Sequence, residues 1–352
     1  MPTFQDLDKH FASVPAALLG QLAEIERASG RQEAFSAQHP NQLETLKQIA
    51  MIQSTEASNA IENITAPPER IKDLVMEKTT PVNRPEAEIA GYRRALDVVH
   101  ANAANIPFEP NYVKQLHGYL FSFTQIRDAG DWKRIDNKVE DVYPDGRRVV
   151  RFTPVSASET PRAMDRLHQG FADAQRAARF HPLLLSSAYV LDFLVVHPFR
   201  DGNGRMARLL ALLLLYQAGY EVGRFISIEK LIEETKDTYY DSLKASTTGW
   251  HEGQHDLEPW CSYFCGVLIA AYREFEERAG AVAGRGSKRK LIHSFVRSSI
   301  TDEFTMGDLR RAAPGMTDSY RNKQLAVLKK AGVLERVSAG RGARWKILRR
   351  DF

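Results

Sequence analysis

The segment from residue 197 to residue 208 holds a dense group of side chains that can do chemistry. It reads His-Pro-Phe-Arg-Asp-Gly-Asn-Gly-Arg-Met-Ala-Arg, with one imidazole, one carboxylate, one amide, two glycines and three arginines. Because the ordinary pKa of histidine is about 6.5, His197 is a natural base for taking a proton from an attacking hydroxyl. Asp201 offers the hard oxygen ligands that suit a Mg²⁺ ion bridging phosphates. The segment therefore predicts phosphate chemistry with His197 as the base.

The glycines and arginines of this segment predict a binding site for the phosphates. Gly202 and Gly204 allow the backbone to approach a ligand closely and to turn its N–H groups inward. A helix predicted to begin near Arg205 would present free N–H groups, which attract phosphate. Arg205 and Arg208 are three residues apart, so both would lie on one face of that helix and contact phosphate oxygens.

Apolar stretches on both sides of the segment predict the elements that position it. Residues 183–196 and 209–216 read as buried helices that are too short to cross a bilayer. A plain capped turn between core helices, with solvated arginines and His197 bonded to backbone, is the alternative. The combination of residue types argues against that alternative, because a composite motif is far more specific than any single residue.

The same residues resemble the signature of the Fic (filamentation induced by cAMP) family, His-Pro-Phe-x-(Asp/Glu)-Gly-Asn-Gly-Arg-x-x-Arg, at every fixed position. Members of that family typically transfer AMP from ATP to a hydroxyl side chain of a target protein. The resemblance implies that His197 is the general base, that Asp201 holds Mg²⁺ and that Phe199 anchors the loop in the core. The residues that it implies for the ATP phosphates are Gly202, Asn203, Gly204, Arg205 and Arg208.

A second motif lies upstream, in a segment whose apolar residues recur at helical spacing. Ser58 and Glu62 are four residues apart and so project from one side of the predicted helix. As a lone pair they would be an ordinary solvated serine and surface carboxylate. However, residues 58–63 resemble the inhibitory motif of the same family, (Ser/Thr)-x-x-x-Glu-(Gly/Asn). That resemblance implies that Glu62 pairs with Arg208 and blocks productive seating of the ATP γ-phosphate.

Two further segments are expected to frame the site. Pro144-Asp145-Gly146, between two stretches rich in β-branched residues, predicts a β-hairpin, with a surface loop as the alternative. The resemblance implies a flap along whose edge target segments align by strand addition. Members of the family often have a double proline after this flap, whereas this sequence has only Pro154, so the end of the flap is not defined by the resemblance. Tyr239 and Tyr240 resemble the aromatic pair near the adenine, and core packing is an equal alternative for them.

Composition sets the broad class of the protein. The chain has 352 residues, 43% of them hydrophobic and 26% charged, which is typical of a soluble globular protein of two or three domains. Its first residues lack the pattern of a signal peptide, and no apolar run is long enough for a membrane span, so no membrane association is expected. Cys261 and Cys265 predict core packing in a reducing cytoplasm, with a disulfide or metal site as the minor alternative.

The C-terminal part of the chain is strongly basic. Residues 285–352 contain 17 Lys and Arg against 6 Asp and Glu, a net charge of +11 in a chain of +4, which leaves −7 for residues 1–284. Two short helices and a predicted hairpin there resemble a winged-helix domain, common at the C-terminus of longer Fic proteins. Arg321, Lys323, Arg341 and Arg344 suggest contacts with DNA phosphates. Dimerisation into a homodimer and docking of a target protein are open alternatives for such a domain.

The predicted fold class is mainly α: a Fic-type helical bundle with a β-hairpin flap, plus a C-terminal winged-helix domain. The predicted boundaries are 1–105 for a helical region with the inhibitory helix, 106–278 for the catalytic domain, 279–288 for a linker and 289–352 for the winged helix.

The predicted function is that of an ATP- and Mg²⁺-dependent protein adenylyltransferase restrained by Glu62. It would modify a Ser, Thr or Tyr hydroxyl of a target protein, with the chain itself among the candidates. One alternative is removal of AMP from a modified protein, with Glu62 positioning the water. Another is a DNA-binding regulator that senses nucleotide, against which an intact His197 argues, since a sensor needs no base.

Overall fold

The computed structural model describes residues 2–38, 40–142, 147–283, 287–299, 301–313, 316–338 and 343–351. Helices dominate these residues, whose strands form one two-stranded and one three-stranded antiparallel sheet. The predicted mainly α fold class is therefore confirmed.

The described residues before 121 are mainly helical. Its helices are α1 (Pro2–Gln5), α2 (Leu7–His10), α3 (Ala16–Gln38), α4 (Pro40–Ile61), α5 (Pro68–Val75), α6 (Arg84–Asn102) and α7 (Pro110–Leu120), with a 3-10 turn over Ala103–Asn105.

The remaining helices of the larger unit follow the hairpin. They are α8 (Thr160–Ala177), α9 (Pro182–Val196), α10 (Asn203–Gln217), α11 (Ile228–Glu234), α12 (Lys236–Thr247) and α13 (Glu258–Ala283), with a 3-10 turn over Val222–Arg224. Helices α9 and α10 lie at the centre of this unit, where nearly every side chain from residue 183 to 196 and from 205 to 216 is buried. A helix that is apolar all round must be packed on all sides, which explains their central position. In the described part of the chain, no helix combines the length and the apolar character needed to span a membrane.

The predicted hairpin is present. Strands β1 (Val139–Val142) and β2 (Arg148–Phe152) pair antiparallel, with Val142 opposite Arg148 and an irregularity in register after Val139. Its predicted turn, residues 144–146, lies outside the described residues.

The C-terminal residues form a small unit with its own hydrophobic core. Its elements are α14 (Ser287–Ser298), β3 (Glu303–Thr305), α15 (Met306–Ala312), α16 (Asp318–Lys330), β4 (Leu334–Arg336) and β5 (Arg344–Ile347), with the sheet order β3-β5-β4. Thr317 caps α16, because its hydroxyl accepts the N–H of Tyr320.

The stretch predicted as a linker is largely helical. Residues 279–283 continue α13 and residues 287–288 begin α14, so only residues 284–286 separate the two helices, and these lie outside the described residues. Alanine, which is frequent in this stretch, is the strongest helix former and explains why α13 extends this far.

The C-terminal unit rests on α4 and α5. The hydroxyl of Thr45 donates to the carbonyl oxygen of Arg311 at 3.0 Å, and the amide of Gln53 donates to the carbonyl oxygen of Ser298 at 3.2 Å. Lys72 lies 3.4 Å from the carboxylate of Asp308. The unit with its separate core therefore contacts the helix that ends just before Glu62.

Helices α6 and α7 approach each other closely at Gly91, where an added Cβ would collide with the backbone carbonyl of Leu120. Because neither backbone can yield cheaply, we expect Gly91→Ala to lower the free energy of unfolding by about 1–3 kcal/mol. Urea denaturation followed by circular dichroism would measure the change.

The matched control is Gly118→Ala in α7, where an added Cβ meets nothing within 4 Å. Alanine is the better helix former, so this variant should gain about 0.5–1 kcal/mol. Equal stability of the two variants would contradict the close approach at Gly91.

Candidate active site

The predicted site is a loop of six residues between α9 and α10. His197 follows the last residue of α9 with a left-handed backbone, φ 50° and ψ 59°, and Gly202 precedes α10 with φ 79°. A left-handed backbone is strained for a residue other than glycine, and such strain is typical of functional sites. Helix α10 begins at Asn203, two residues before the predicted start. The two left-handed residues turn the chain back, so the loop lies at the open end of two buried helices.

His197 is held as a neutral base. Its Nδ1 lies 3.1 Å from the carbonyl oxygen of Leu194, which can only accept a hydrogen bond. Nδ1 therefore carries the ring proton, and Nε2 is left as an acceptor. Burial lowers the pKa of His197 to about 4, the charge of Lys133 acts in the same direction, and the bond to Leu194 with the charges of Glu62 and Asp201 offsets only part of this. At neutral pH the imidazole is ready to take a proton.

The shape of the loop depends on Asn203, whose side chain is buried. Its Oδ1 accepts the N–H of Phe199 at 2.9 Å, and its Nδ2 donates to the carbonyl oxygen of Phe199 at 2.8 Å. Phe199 is fully buried and its ring stacks on His117 at 3.8 Å between centroids. The amide of Asn203 is thus engaged by the loop backbone, and the residue orders the loop rather than pointing at a ligand.

The carboxylate of Glu62 lies against the first turn of α10. A Cβ added to Gly204 would collide with Oε1 of Glu62, so only glycine permits this approach. The N–H groups at this end of the helix have no partner within the helix and carry the positive end of its dipole. Glu62 therefore occupies the region where the sequence predicts phosphate.

Arg208 is hydrogen-bonded to Glu62, as the inhibitory motif implies, and also to Ser58. Its Nη2 donates to Oε1 of Glu62 and to the carbonyl oxygen of Ser58, and its Nε donates to Oγ of Ser58, each at 2.8 Å. Burial raises the pKa of Glu62, but the charge and hydrogen bond of Arg208, with the charge of Arg205, outweigh it, so the net shift is downward. Glu62 is therefore ionised at neutral pH.

Arg205 is placed differently from its prediction. Its side chain is only 1% exposed, and its Nη1 lies 2.8 Å from Oε2 of Glu88 in α6. The guanidinium also lies over the ring of Phe121, 5.1 Å from the centroid. Arg208 lines the cleft, whereas Glu88 and Phe121 hold the guanidinium of Arg205 away from it. The structure does not bring Arg205 to the place predicted for phosphate.

Asp201 lies at the exposed edge of the loop. Its Oδ1 accepts the N–H of Gly202 at 2.6 Å, and its carboxylate is 3.8 Å from Arg205 and 3.9 Å from Arg84. Within the described ranges, no cluster of three or more His, Cys, Asp or Glu side chains could hold a metal ion. A single accessible carboxylate fits Mg²⁺ that keeps several waters and takes further ligands from phosphates.

The loop opens into a cleft between the hairpin and α12. Tyr239 is buried and Tyr240 is partly buried, with the guanidinium of Arg151 over its ring at 4.4 Å. Three basic residues of the cleft, Lys138, Arg151 and Lys244, were not predicted as site residues. Their charge is evident from the sequence, but the sequence does not indicate that their side chains face the cleft. The cleft is lined by Glu62, Lys138, Val139, Glu140, Arg151, Phe152, Leu194, Val195, His197, Arg200, Asp201, Gly202, Asn203, Gly204, Arg208, Tyr239, Tyr240, Leu243, Lys244 and Thr247.

Comparison with known proteins agrees with this arrangement. The model of the Fic/DOC family matches residues 107–215. A protein named protein adenylyltransferase Fic from Culex quinquefasciatus is 24% identical over 249 residues, 68% of this chain and 45% of that protein. Protein adenylyltransferase fic-1 from Caenorhabditis elegans is 31% identical over 115 residues, 33% of this chain and 20% of that protein. At its widest, the similarity spans about half the length of these curated relatives.

Solved structures share the fold. A Fic family protein from Desulfovibrio desulfuricans G20 superposes with a TM-score of 0.61 at 21% identity, covering 95% of this chain and 97% of that chain. Fic-1 from Caenorhabditis elegans superposes with a TM-score of 0.57 at 18% identity, covering 75% and 74%. The match of the family model, the complete signature on the loop and the shared helical fold together show that the chain contains a Fic domain.

Proposed function

We propose that this protein is an adenylyltransferase that moves AMP from ATP to a hydroxyl side chain of a target protein. The observation that carries the proposal is His197, a neutral imidazole whose Nε2 is free to accept a proton beside the N-terminus of α10 and Arg208. The names of the relatives, protein adenylyltransferase, support the same activity.

In the proposed reaction, His197 takes the proton of a Ser, Thr or Tyr hydroxyl as its oxygen attacks the α-phosphorus of ATP. The bond from that phosphorus to the bridging oxygen breaks, and pyrophosphate leaves. The N–H groups at the start of α10 and the guanidinium of Arg208 stabilise the charge on the phosphates. Asp201 would hold Mg²⁺, which neutralises phosphate charge when bound. Tyr239 and Tyr240 line the part of the cleft proposed for the adenine.

The same geometry supports autoinhibition by Glu62. Its carboxylate is an anion bound to Arg208 and to the first turn of α10, where a phosphate of ATP would otherwise bind. Ser58 supports it by bonding Arg208 from α4. ATP could then enter only with its phosphates turned away from in-line attack.

A second activity of the same site is removal of AMP from a modified protein. The ionised carboxylate of Glu62 faces the cleft beside His197, where it could orient a water molecule toward the phosphorus. Release of AMP from a purified modified target would distinguish this direction from transfer.

For the C-terminal unit we propose a winged helix that binds DNA through α16. Lys323, Val327 and Lys330 are exposed on that helix, and the side chain of Arg344 on β5 is 64% exposed. Arg321, by contrast, is buried, pairs with Asp318 and donates to the carbonyl oxygen of Ala313, so its predicted DNA contact is wrong. Arg341 lies outside the described residues. If the unit instead binds a partner protein or a second copy of the chain, the same face of α16 would make the contact.

A cytoplasmic location of the protein stays a prediction.

Replacement of His197 tests the base. We expect His197→Ala to reduce transfer of labelled AMP by about 10²–10⁴ because the variant lacks the proposed general base. His197→Asn is the matched variant, since asparagine tolerates a left-handed backbone but is not a base at neutral pH. Both should bind ATP like the parent by calorimetry. Transfer at the parental rate by either variant would refute the mechanism.

Release of the inhibitory contact tests Glu62. We expect Glu62→Gly to raise adenylylation, including self-modification, by about 10² while ATP affinity changes little, because the phosphates regain in-line geometry. Ser58→Ala should activate more weakly. Glu62→Gln keeps the shape of the side chain but removes its charge, so it separates inhibition by charge from inhibition by occupied space. Adding Arg208→Ala to Glu62→Gly should remove most of the gain, and parental activity of Glu62→Gly would exclude autoinhibition.

Removal of the C-terminal unit tests its role. A chain ending at residue 283 should fold and bind ATP, because the larger unit has its own core. If α16 binds DNA, the full chain should bind labelled duplex with an affinity that falls steeply with salt, and Lys323→Glu with Lys330→Glu should abolish binding. The control is Lys9→Glu with Lys114→Glu, on the larger unit. A flat salt response or no binding would favour a docking or dimerisation module.

A further inference from the structure

A loop that precedes the hairpin passes behind His197 and carries a buried lysine. The side chain of Lys133 is 4% exposed. Its Nζ donates to the carbonyl oxygen of Val196 at 3.0 Å and to Oδ1 of Asn137 at 2.8 Å. Burial of an ammonium group is costly unless its environment compensates it, so this position requires a physical reason.

The reason lies in four successive carbonyl groups of the catalytic loop. The carbonyl of Val196 accepts Nζ of Lys133, and that of Pro198 accepts the backbone N–H of Lys133 at 2.8 Å. Nδ2 of Asn137 lies 3.4 Å from the carbonyl oxygen of His197 and 3.1 Å from that of Phe199. Every carbonyl from residue 196 to residue 199 is therefore bonded by one of these two side chains or by the backbone of Lys133.

These bonds fall where the backbone is under strain. Helix α9 ends at Val196, so the carbonyls there lack partners within the helix and form the negative end of its dipole, which a cation stabilises. His197 follows at once with its left-handed backbone. A conformation of this kind persists only when surrounding contacts enforce it.

We propose that Lys133 and Asn137 are positioning residues for the catalytic base: they fix the carbonyls of residues 196–199 and thereby hold Nε2 of His197 toward the cleft. This inference rests on the proposed function of His197. Neither residue lines the cleft, so both act through His197 and not on the nucleotide.

The charge of Lys133 also affects the pKa of His197. Burial lowers the pKa of Lys133 to about 8, with Asp136 opposing the shift, so the side chain is mostly charged at neutral pH. Its charge lowers the pKa of His197, whereas Glu62 and Asp201, the other charged groups facing the imidazole, raise it. Loss of Lys133 should therefore raise the pKa of His197 and shift the acid limb of the rate profile to higher pH.

The experiment compares Lys133→Met with Lys133→Arg in the Glu62→Gly chain, whose activity should be readily measured. At pH 7.5, where His197 is neutral in both, Lys133→Met should lower kcat by about 10-fold or more with the KM for ATP within about two-fold, because the base is misplaced. Lys133→Arg should restore most of kcat. Arg134→Met, at the neighbouring exposed position, is the control and should retain the parental kcat and acid limb.

Two readouts keep the inference independent of folding and of the proposed function. If Lys133→Met does not fold, Asn137→Ala, which removes two of the four carbonyl contacts, should give the same loss of kcat. Titration of His197 by NMR, with its signal assigned by His197→Ala, should show a raised pKa in Lys133→Met even if no AMP is transferred. Parental kcat and an unshifted acid limb in folded Lys133→Met, or an unchanged pKa of His197, would overturn the inference. Absence of transfer in the Glu62→Gly chain itself would instead refute the proposed function.

Discussion

The structure depends on a constraint of backbone chemistry: the loop of residues 197–202 reverses the chain between two helices that are buried on all sides. The carbonyl groups at its buried end, those of residues 196–199, need partners within the protein. Asn203, the first residue of α10, bonds the backbone of Phe199, and Lys133 and Asn137 bond the carbonyls of residues 196–199 from the preceding loop. These bonds fix the backbone of the loop, and the fixed backbone places His197 at the cleft.

A second constraint is the charge of Arg208. A guanidinium that is almost fully buried needs an anion, and in this structure Glu62 supplies it. A phosphate of ATP at the same place would satisfy the same need, so under the proposed function the carboxylate and the phosphate would compete for one cation and one helix N-terminus. Arg205 is a neighbour on the same helix but is paired with Glu88, which removes it from this competition. The regulation proposed for the site thus follows from one buried charge with two alternative partners.

Helix α4 connects the site to the rest of the chain. Its last turns present Ser58 to Arg208, and just beyond its end the chain turns at Asn63, whose φ is 61°. One turn earlier, Ser54 bonds the buried carboxylate of Glu229 in α11 at 2.7 Å. Nearer its start, Thr45 and Gln53 contact the C-terminal unit. A single helix therefore carries contacts with α10, with the core of the larger unit and with the basic C-terminal unit.

The sequence by itself determined the features that depend on local pattern: the two apolar helices, the loop between them, the hairpin strands, and the two short helices and hairpin of the C-terminal part. It did not predict α14 or β3. The resemblance of residues 58–63 to the inhibitory motif implied the pairing of Glu62 with Arg208, which is present at 2.8 Å. Only the tertiary structure decided that Arg205 faces Glu88, that Arg321 is buried, and that Lys133 and Asn137 hold the catalytic loop. These contacts join residues far apart in the chain, and whether a charged side chain is buried or exposed depends on what packs against its helix or loop, which spacing along one segment does not encode.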